Sequence, residues 1–266
     1  MILWLLDHFS TPELILLLVG GPTALAVAGC LVVQRTFPRL ADSEFDKVSE
    51  ALRGGFTVLF GLILGLSIAS VSTQLGAAHA TVSSEAATLA ELVRASRAMP
   101  ANDQAAMTQA LDEYVHAVAD DEWVTMQSGL ESPRAAAALE QLYAVYTEHP
   151  PPPGPFASSR FSMAMSKLDQ VTAARRARLQ QAESGSSLPG LLRILLMVGV
   201  IVFIVVWYPA KVRDNRAQLV VVACIAAFIS FAYLLTVLLD FPFAGDLAVG
   251  NHPFKDGALA SFWVGR

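Results

Sequence analysis

The sequence predicts an all-α integral membrane protein with four transmembrane helices and a helical domain inserted between the second and the third. Three observations predict it. Apolar residues make up 54% of the 266 residues and charged residues only 15%, where a soluble domain carries about a quarter charged. That excess, seen also in a mean hydropathy of +0.50, gathers into four blocks of near-spanning length. The stretch between blocks two and three has ordinary polarity, and no strand-like alternation competes with its helical pattern.

The first block runs from about Leu14 to Val33 without a charge, long enough for ~30 Å of hydrocarbon. The apolar piece Met1–Leu6 ahead of it is broken by Asp7 and His8. It lacks the basic n-region and small-residue cleavage site of a secretory signal, so a retained span with an interfacial N-terminal segment is expected. Gly20, Ala24 and Ala28 recur every four residues, a spacing that suits close helix contact, and Pro22 is expected to kink the helix. A polar segment, Gln34–Arg53, leads to the second block, Gly54 to about Leu75. The third covers Leu191–Tyr208 and ends on Trp207 and Tyr208, rings that favour the headgroup layer. The fourth covers Leu219–Leu239. Domain boundaries follow: an N-terminal transmembrane pair at 1–79, an extramembrane helical domain at 80–188, and a C-terminal transmembrane pair with tail at 189–266.

Within the helical domain the pattern predicts one helix over Ala80–Met99 and a second capped by Asn102 or Asp103 and ending near Gln127. A third starts at Ser132-Pro133 and a last runs over Ser158–Ala182. The proline-rich run His149–Pro155 is read as an extended connector. The short connections Gln34–Arg53 and Pro209–Gln218 hold seven Lys/Arg. The positive-inside rule then places them in the cytoplasm and the helical domain outside.

The second span is the most informative. At 100° per residue, Phe56, Phe60, Ile63, Ser67, Ser70, Gln74, Ala78, Thr81 and Glu85 fall within about 60° of one line. Serines and a glutamine are costly against lipid, so this stripe must face protein or water. Two readings follow. It packs on the chain's other spans with the serines bonding back to helix carbonyls, or copies of it surround a pore. In the second case Phe56, Phe60 and Ile63 form an apolar neck that gates by dewetting, and Ser67, Ser70, Gln74, Thr81 and Glu85 line the pore or vestibule. Gly61 and Gly65 form a GxxxG pair on another face.

Other constellations carry less. Cys30 and Cys224 lie in apolar blocks and read as packing residues. His79, His116 and His149 lack metal-ligand spacing and read as solvated or packing side chains. Asp120-Asp121-Glu122 reads as an exposed helix face and Trp123 as core. Arg175, Arg176 and Arg178 read as a solvated face or as partners for Glu85 and Glu91. Asp240, at the end of the fourth span, can bind a cation, pair with an arginine or, the favoured reading, organise a turn with Pro242; it needs a partner, because a carboxylate opposes the helix dipole there. No phosphate loop, nucleophile elbow or metal motif is present, so neither a catalytic residue, a metal, a cofactor nor a nucleic-acid partner is expected, and the protein is not read as an enzyme.

Three segments carry a family resemblance. The second span runs straight into Glu85-Ala86-Ala87-Thr88-Leu89-Ala90-Glu91-Leu92-Val93-Arg94. Arg175, Arg176 and Arg178 follow Leu168-Asp169 on the return to the third span. The fourth span ends in Leu239-Asp240-Phe241-Pro242-Phe243-Ala244-Gly245-Asp246, similar to the Asp-Pro-Phe-Gly signature after the last bestrophin span. Together with the four-span layout, these segments resemble the bestrophin-like membrane proteins, which include bestrophin anion channels and bacterial relatives. The resemblance implies a multi-pass cell-membrane protein, as in a bacterial inner membrane, and a homopentamer that conducts inorganic ions along an axis lined by its second spans. By position it makes Phe56, Phe60 and Ile63 the neck, and Asp240, Pro242, Phe243 and Gly245 the structural motif closing the fourth span. The acidic run of the animal calcium clasp has no counterpart, only Asp246 lying near Asp240. In bestrophins the helical domain is cytoplasmic, opposite to the local charge bias, so the orientation stays open. A non-conducting scaffold or sensor that binds a partner through its helical domain is the alternative function.

One structural expectation is sharp. From Gly55 to Met99 no proline occurs, so the second span should continue unbroken into the Ala80–Met99 helix. Glu85 or Glu91 should then pair with one of Arg175, Arg176 and Arg178 in a partly shielded ion pair worth about 1 kcal/mol.

Overall fold

The computed structural model describes residues 11–36, 43–97, 99–148, 157–208 and 215–264. Every regular element among them is helical. The helices are α1 (Thr11–Ile15), α2 (Gly21–Thr36), α3 (Ser43–Ser96), α4 (Ala101–His116) and α5 (Trp123–Gln127). Then follow α6 (Pro133–Glu148), α7 (Ala157–Glu183), α8 (Gly190–Val206) and α9 (Asn215–Asp240). Two π-helical turns, Leu16–Gly20 and Ala117–Glu122, join α1 to α2 and α4 to α5, and two 3-10 turns, His252–Phe254 and Gly257–Phe262, close the chain.

Among the described residues, three helices are long and apolar enough to cross a membrane: Pro12–Thr36, Glu50–Ser96 and Asn215–Asp240. The third apolar block forms Gly190–Val206, apolar but shorter at 17 residues. Contacts divide the chain into two units, one of residues 1–73 and 187–247, the other of residues 74–186 and 248–266.

In the first unit, α2, α3, α8 and α9 bury one core that includes Cys30, Phe60, Leu64, Val71, Leu196, Phe203 and Ile229. The outer faces carry large apolar side chains such as Leu25, Leu66 and Phe228, the composition of a lipid-facing surface. A π turn, Leu16–Gly20, lies just before Pro22, where a kink is expected. Proline offers no N–H to the preceding turn, a widened turn absorbs the mismatch, and the Thr23 hydroxyl donates to the Val19 carbonyl at 2.6 Å. The repeat Gly20, Ala24 and Ala28 does not make the internal contact expected of it. Ala24 and Ala28 are exposed, and Ala26 and Cys30 are the buried residues of α2.

In the second unit, α3 contributes Val82, Ala86, Leu89 and Leu92, α4 contributes Met107, Leu111 and Tyr114, and α6 contributes Leu139, Leu142 and Tyr146, all buried. The Ser132 hydroxyl accepts the Ala135 N–H at 3.3 Å, the N-cap that Ser132-Pro133 promised. The cap expected of Asn102 or Asp103 is displaced: α4 starts at Ala101 after Pro100, and both residues lie inside its first turn. The expected connector His149–Pro155 and the segment Met1–His8 lie outside the described residues. The chain after Ala248 returns to this unit and buries Val249, Phe254 and Leu259.

The long helix is continuous. α3 runs 54 residues without a break at Gly76, about 81 Å at 1.5 Å per residue. It begins at Ser43, so the latter half of the Gln34–Arg53 connection is helix rather than loop, and Arg53 is buried.

Candidate functional site

The sequence-predicted site is the α3 stripe. In the first unit its aromatic end turns inward. Phe60 is 5% exposed, its ring centroid 5.6 Å from that of Phe203 on α8 and 5.8 Å from that of Phe56. The absence of a side chain on α8 makes room for it, because a Cβ on Gly199 would overlap the Phe60 ring. Phe56 and Ile63 are partly buried in the same core. Ser67 is buried and donates to the Ile63 carbonyl at 2.8 Å, the back-bond by which a serine satisfies itself inside a helix bundle. Ser70 and Gln74, farther along, are exposed.

The opposite side of α3 is lined by small residues. Gly54, Gly61, Gly65, Ala69, Ser72, Gly76, Ala80, Ser83 and Ala87 are all exposed and share one side of the helix at 100° per residue. A Cβ placed on Gly54, Gly61, Gly65 or Gly76 would meet nothing within 4 Å. The wheel located the polar stripe; it could not say that the chain's own α8 covers the aromatic end of it.

In the second unit, Thr81 is half-buried and donates to the Ala77 carbonyl, while Glu85 is wholly buried. Its carboxylate accepts from Arg178 Nε at 2.8 Å, from Arg178 Nη2 at 3.2 Å and from the Tyr114 hydroxyl at 3.0 Å. Arg178, also wholly buried, donates through Nη2 to Glu122 Oε1 at 2.7 Å. Its guanidinium carbon lies 5.4 Å from the Trp123 ring centroid. Glu122 binds Arg175 in turn, whose Nη2 reaches Glu131 Oε1 at 2.9 Å. Burial works against the Arg178 charge, but Glu85 and then Glu122 outweigh it and hold the guanidinium protonated. Burial, seconded by the Glu85 charge, pushes the Tyr114 phenol well above its ordinary range.

The expected pairing between the two segments thus forms as Glu85–Arg178, but as the centre of a buried network rather than a half-exposed pair. Glu91 pairs instead with Lys167 at 2.7 Å on the surface, and Arg176 is exposed. The reading of Asp120-Asp121-Glu122 as an exposed face is corrected at Glu122. Three successive residues point about 100° apart on a helix, and the π turn Ala117–Glu122 sends Glu122 into the core while Asp121 meets Arg134 outside. Trp123 is core, as its size suggests.

Asp240 finds its partner within the first unit. One carboxylate oxygen accepts the Leu188 N–H at 2.7 Å, and its carbonyl accepts the Ser187 N–H at 2.9 Å, just ahead of α8. Arg193 Nε lies 3.9 Å from the other oxygen. Pro242 and Phe243 are buried, the Ala244 N–H reaches back to the Phe241 carbonyl, and Gly245 takes φ +85°, which a residue without Cβ adopts freely. The motif therefore ties the end of α9 to the start of α8.

No curated protein and no solved structure matches the chain. A sequence profile of the Bestrophin-like domain matches residues 20–254, a range that takes in the long second apolar helix, the helical unit and the α9 motif. The chain therefore belongs to the bestrophin-like family.

Proposed function

We propose that the protein is an oligomeric ion channel, a pentamer by family analogy, that crosses the bilayer four times and lines its axis with copies of α3. The third crossing is α8, whose 17 residues rise about 26 Å and suffice with little tilt. What supports an assembly above all is the exposed line of small residues on α3. A face of Gly, Ala and Ser is poor at holding lipid chains and well suited to close helix approach or to a water-filled path lined by hydroxyls and backbone carbonyls. On this reading the axis faces Gly61, Gly65, Ala69 and Ser72, while Phe56, Phe60, Ile63 and Ser67 fasten α3 to α8 of the same chain. Ser70 and Gln74 lie at the exposed end of the polar stripe, where water or a neighbouring copy meets them.

The test is the mass of the purified particle in detergent or nanodiscs, followed by planar-bilayer recording. A multimer with ion current, and loss of both in Gly65→Leu, is expected. A monomer overturns the proposal. Phe60→Ala separates two roles for that ring: a lower melting temperature with unchanged conductance fits packing on α8, whereas higher conductance at unchanged stability puts Phe60 in the neck.

A non-conducting scaffold or sensor is favoured by one specific observation, the internal satisfaction of Phe60 and Ser67. A multimer that passes no ion would select it.

A further inference from the structure

We propose that His116 is a pH-sensitive latch that holds the C-terminal 3-10 segment, Gly257–Phe262, on the helical unit when its imidazole is protonated and lets it go when it is not. The ring is buried at the end of α4. Nδ1 lies 3.1 Å from Asp120 Oδ2, and Nε2 lies 3.1 Å from the carbonyl oxygen of Phe262. Both partners are acceptors only. A neutral imidazole carries one N–H and can serve one of them, leaving a nitrogen lone pair against an oxygen at the other; the imidazolium donates to both.

The surrounding charges agree. Asp112 Oδ1 lies 3.4 Å from Nε2, so the helix itself supplies two carboxylates to this ring. The C-terminal segment brings Asp256 and Lys255, whose Nζ is 4.8 Å from the Trp263 ring centroid rather than on the imidazole. From the neighbouring helices, Arg134, Arg175 and Arg178 are each bonded to a carboxylate elsewhere. Trp263 lies with its ring centroid 4.1 Å from that of His116, where a cation is welcome.

The segment held this way is small and has a hinge. Gly257 takes φ +62°. Beyond it Leu259 is the buried apolar anchor, whereas Ser261 and Val264 are exposed. Before it, Phe254 is buried and Asn251 donates to the Ala119 carbonyl at 2.9 Å, so the chain up to Lys255 stays in place when the latch opens. The linkage has one sign: the closed segment requires the second ring proton, so acid pH favours closure and alkaline pH favours release.

The full-length protein in detergent, labelled with 15N-histidine, tests this directly, since it has five histidines. At about pH 5, one resonance that His116→Gln removes should report protons on both nitrogens. Hydrogen exchange of amides 257–264, corrected for intrinsic rates, should then quicken about ten-fold towards pH 9, the worth of one charge-assisted hydrogen bond. His116→Gln should abolish that step, and Asp120→Asn, which removes one carboxylate from the ring, should move it to lower pH. Equal protection at both pH values, a step that persists in His116→Gln, or one unmoved in Asp120→Asn would overturn the latch.

Discussion

Replacing Arg178 with methionine tests the buried network at its centre. Arg178, Glu85 and Glu122 are each without solvent exposure, and the guanidinium bridges the two buried carboxylates. Methionine keeps most of the side-chain volume and continues the contact with Met126, Trp123 and Phe254, so little of the loss comes from packing. Arg175 still neutralises Glu122, but Glu85 is left with the Tyr114 hydroxyl alone. Breaking a buried pair by removing one partner costs about 3–5 kcal/mol, which for a chain of this size lowers the melting temperature by on the order of 10 °C. The internal standard is Lys167→Met, which removes the Glu91 pair at the surface and should cost less than about 1 kcal/mol. Thermal unfolding in one detergent, followed by tryptophan fluorescence, compares the two variants. Adding Glu85→Gln to Arg178→Met should recover part of the loss, because the stranded charge is gone. Arg178→Met within about 1 kcal/mol of wild type, or no better than equal to Lys167→Met, would refute the reasoning.

Three further outcomes are expected. Asp240→Ala leaves the Leu188 N–H without its acceptor and should cost about 1–3 kcal/mol, while Asp240→Asn, which keeps a carbonyl oxygen, should cost less; thermal unfolding of the two variants decides. Gly199→Ala drives a methyl into the Phe60 ring and should cost about 1–3 kcal/mol, and Phe60→Leu in the same chain should return part of it, as a double-mutant cycle would record. Burial pushes Tyr146 up to about 12, so the folded chain keeps a proton that the unfolded chain releases near 10. Stability is therefore unaffected by this group below about pH 10 and declines above it; tyrosinate absorbance in the native protein should show a late component that Tyr146→Phe reduces, leaving the part due to Tyr114.

The helices were legible because their signals are additive along the chain. Uninterrupted hydropathy marks the long apolar helices, and forty-odd residues without proline mark the continuity of α3. What sequence could not convey is the identity of the neighbour. A helical wheel placed Phe60, Ser67 and Glu85 on one line, yet Phe60 meets α8 in one unit and Glu85 meets α7 in the other, each through contacts more than ninety residues away in sequence. The π turn at Ala117–Glu122 was invisible for a different reason: nothing in Ala-Val-Ala-Asp-Asp-Glu departs from helical composition, and the extra residue changes only the direction in which Glu122 points. The return of the C-terminal tail leaves only a faint trace in the sequence. Val249, Phe254 and Leu259 recur every five residues among Gly, Pro and Asn, a spacing that fits neither helix nor strand but places one buried anchor in each short stretch of the tail.

The buried network bears on why the helical unit adopts one arrangement. Its buried faces on α3, α4 and α6 mix alanines with leucines and tyrosines, and apolar contacts of this kind tolerate repacking. Ionic groups do not tolerate a slip in register. Moving α7 by one turn, about 5.4 Å, would carry Arg178 away from Glu85 and break the present pairing of Arg175 and Arg178 with Glu122. A well-packed apolar replacement could match the network in stability, but it would not penalise the wrong register. The π turn belongs to the same argument. An inserted residue weakens α4 locally, and its return is the placement of Glu122 against two arginines at once.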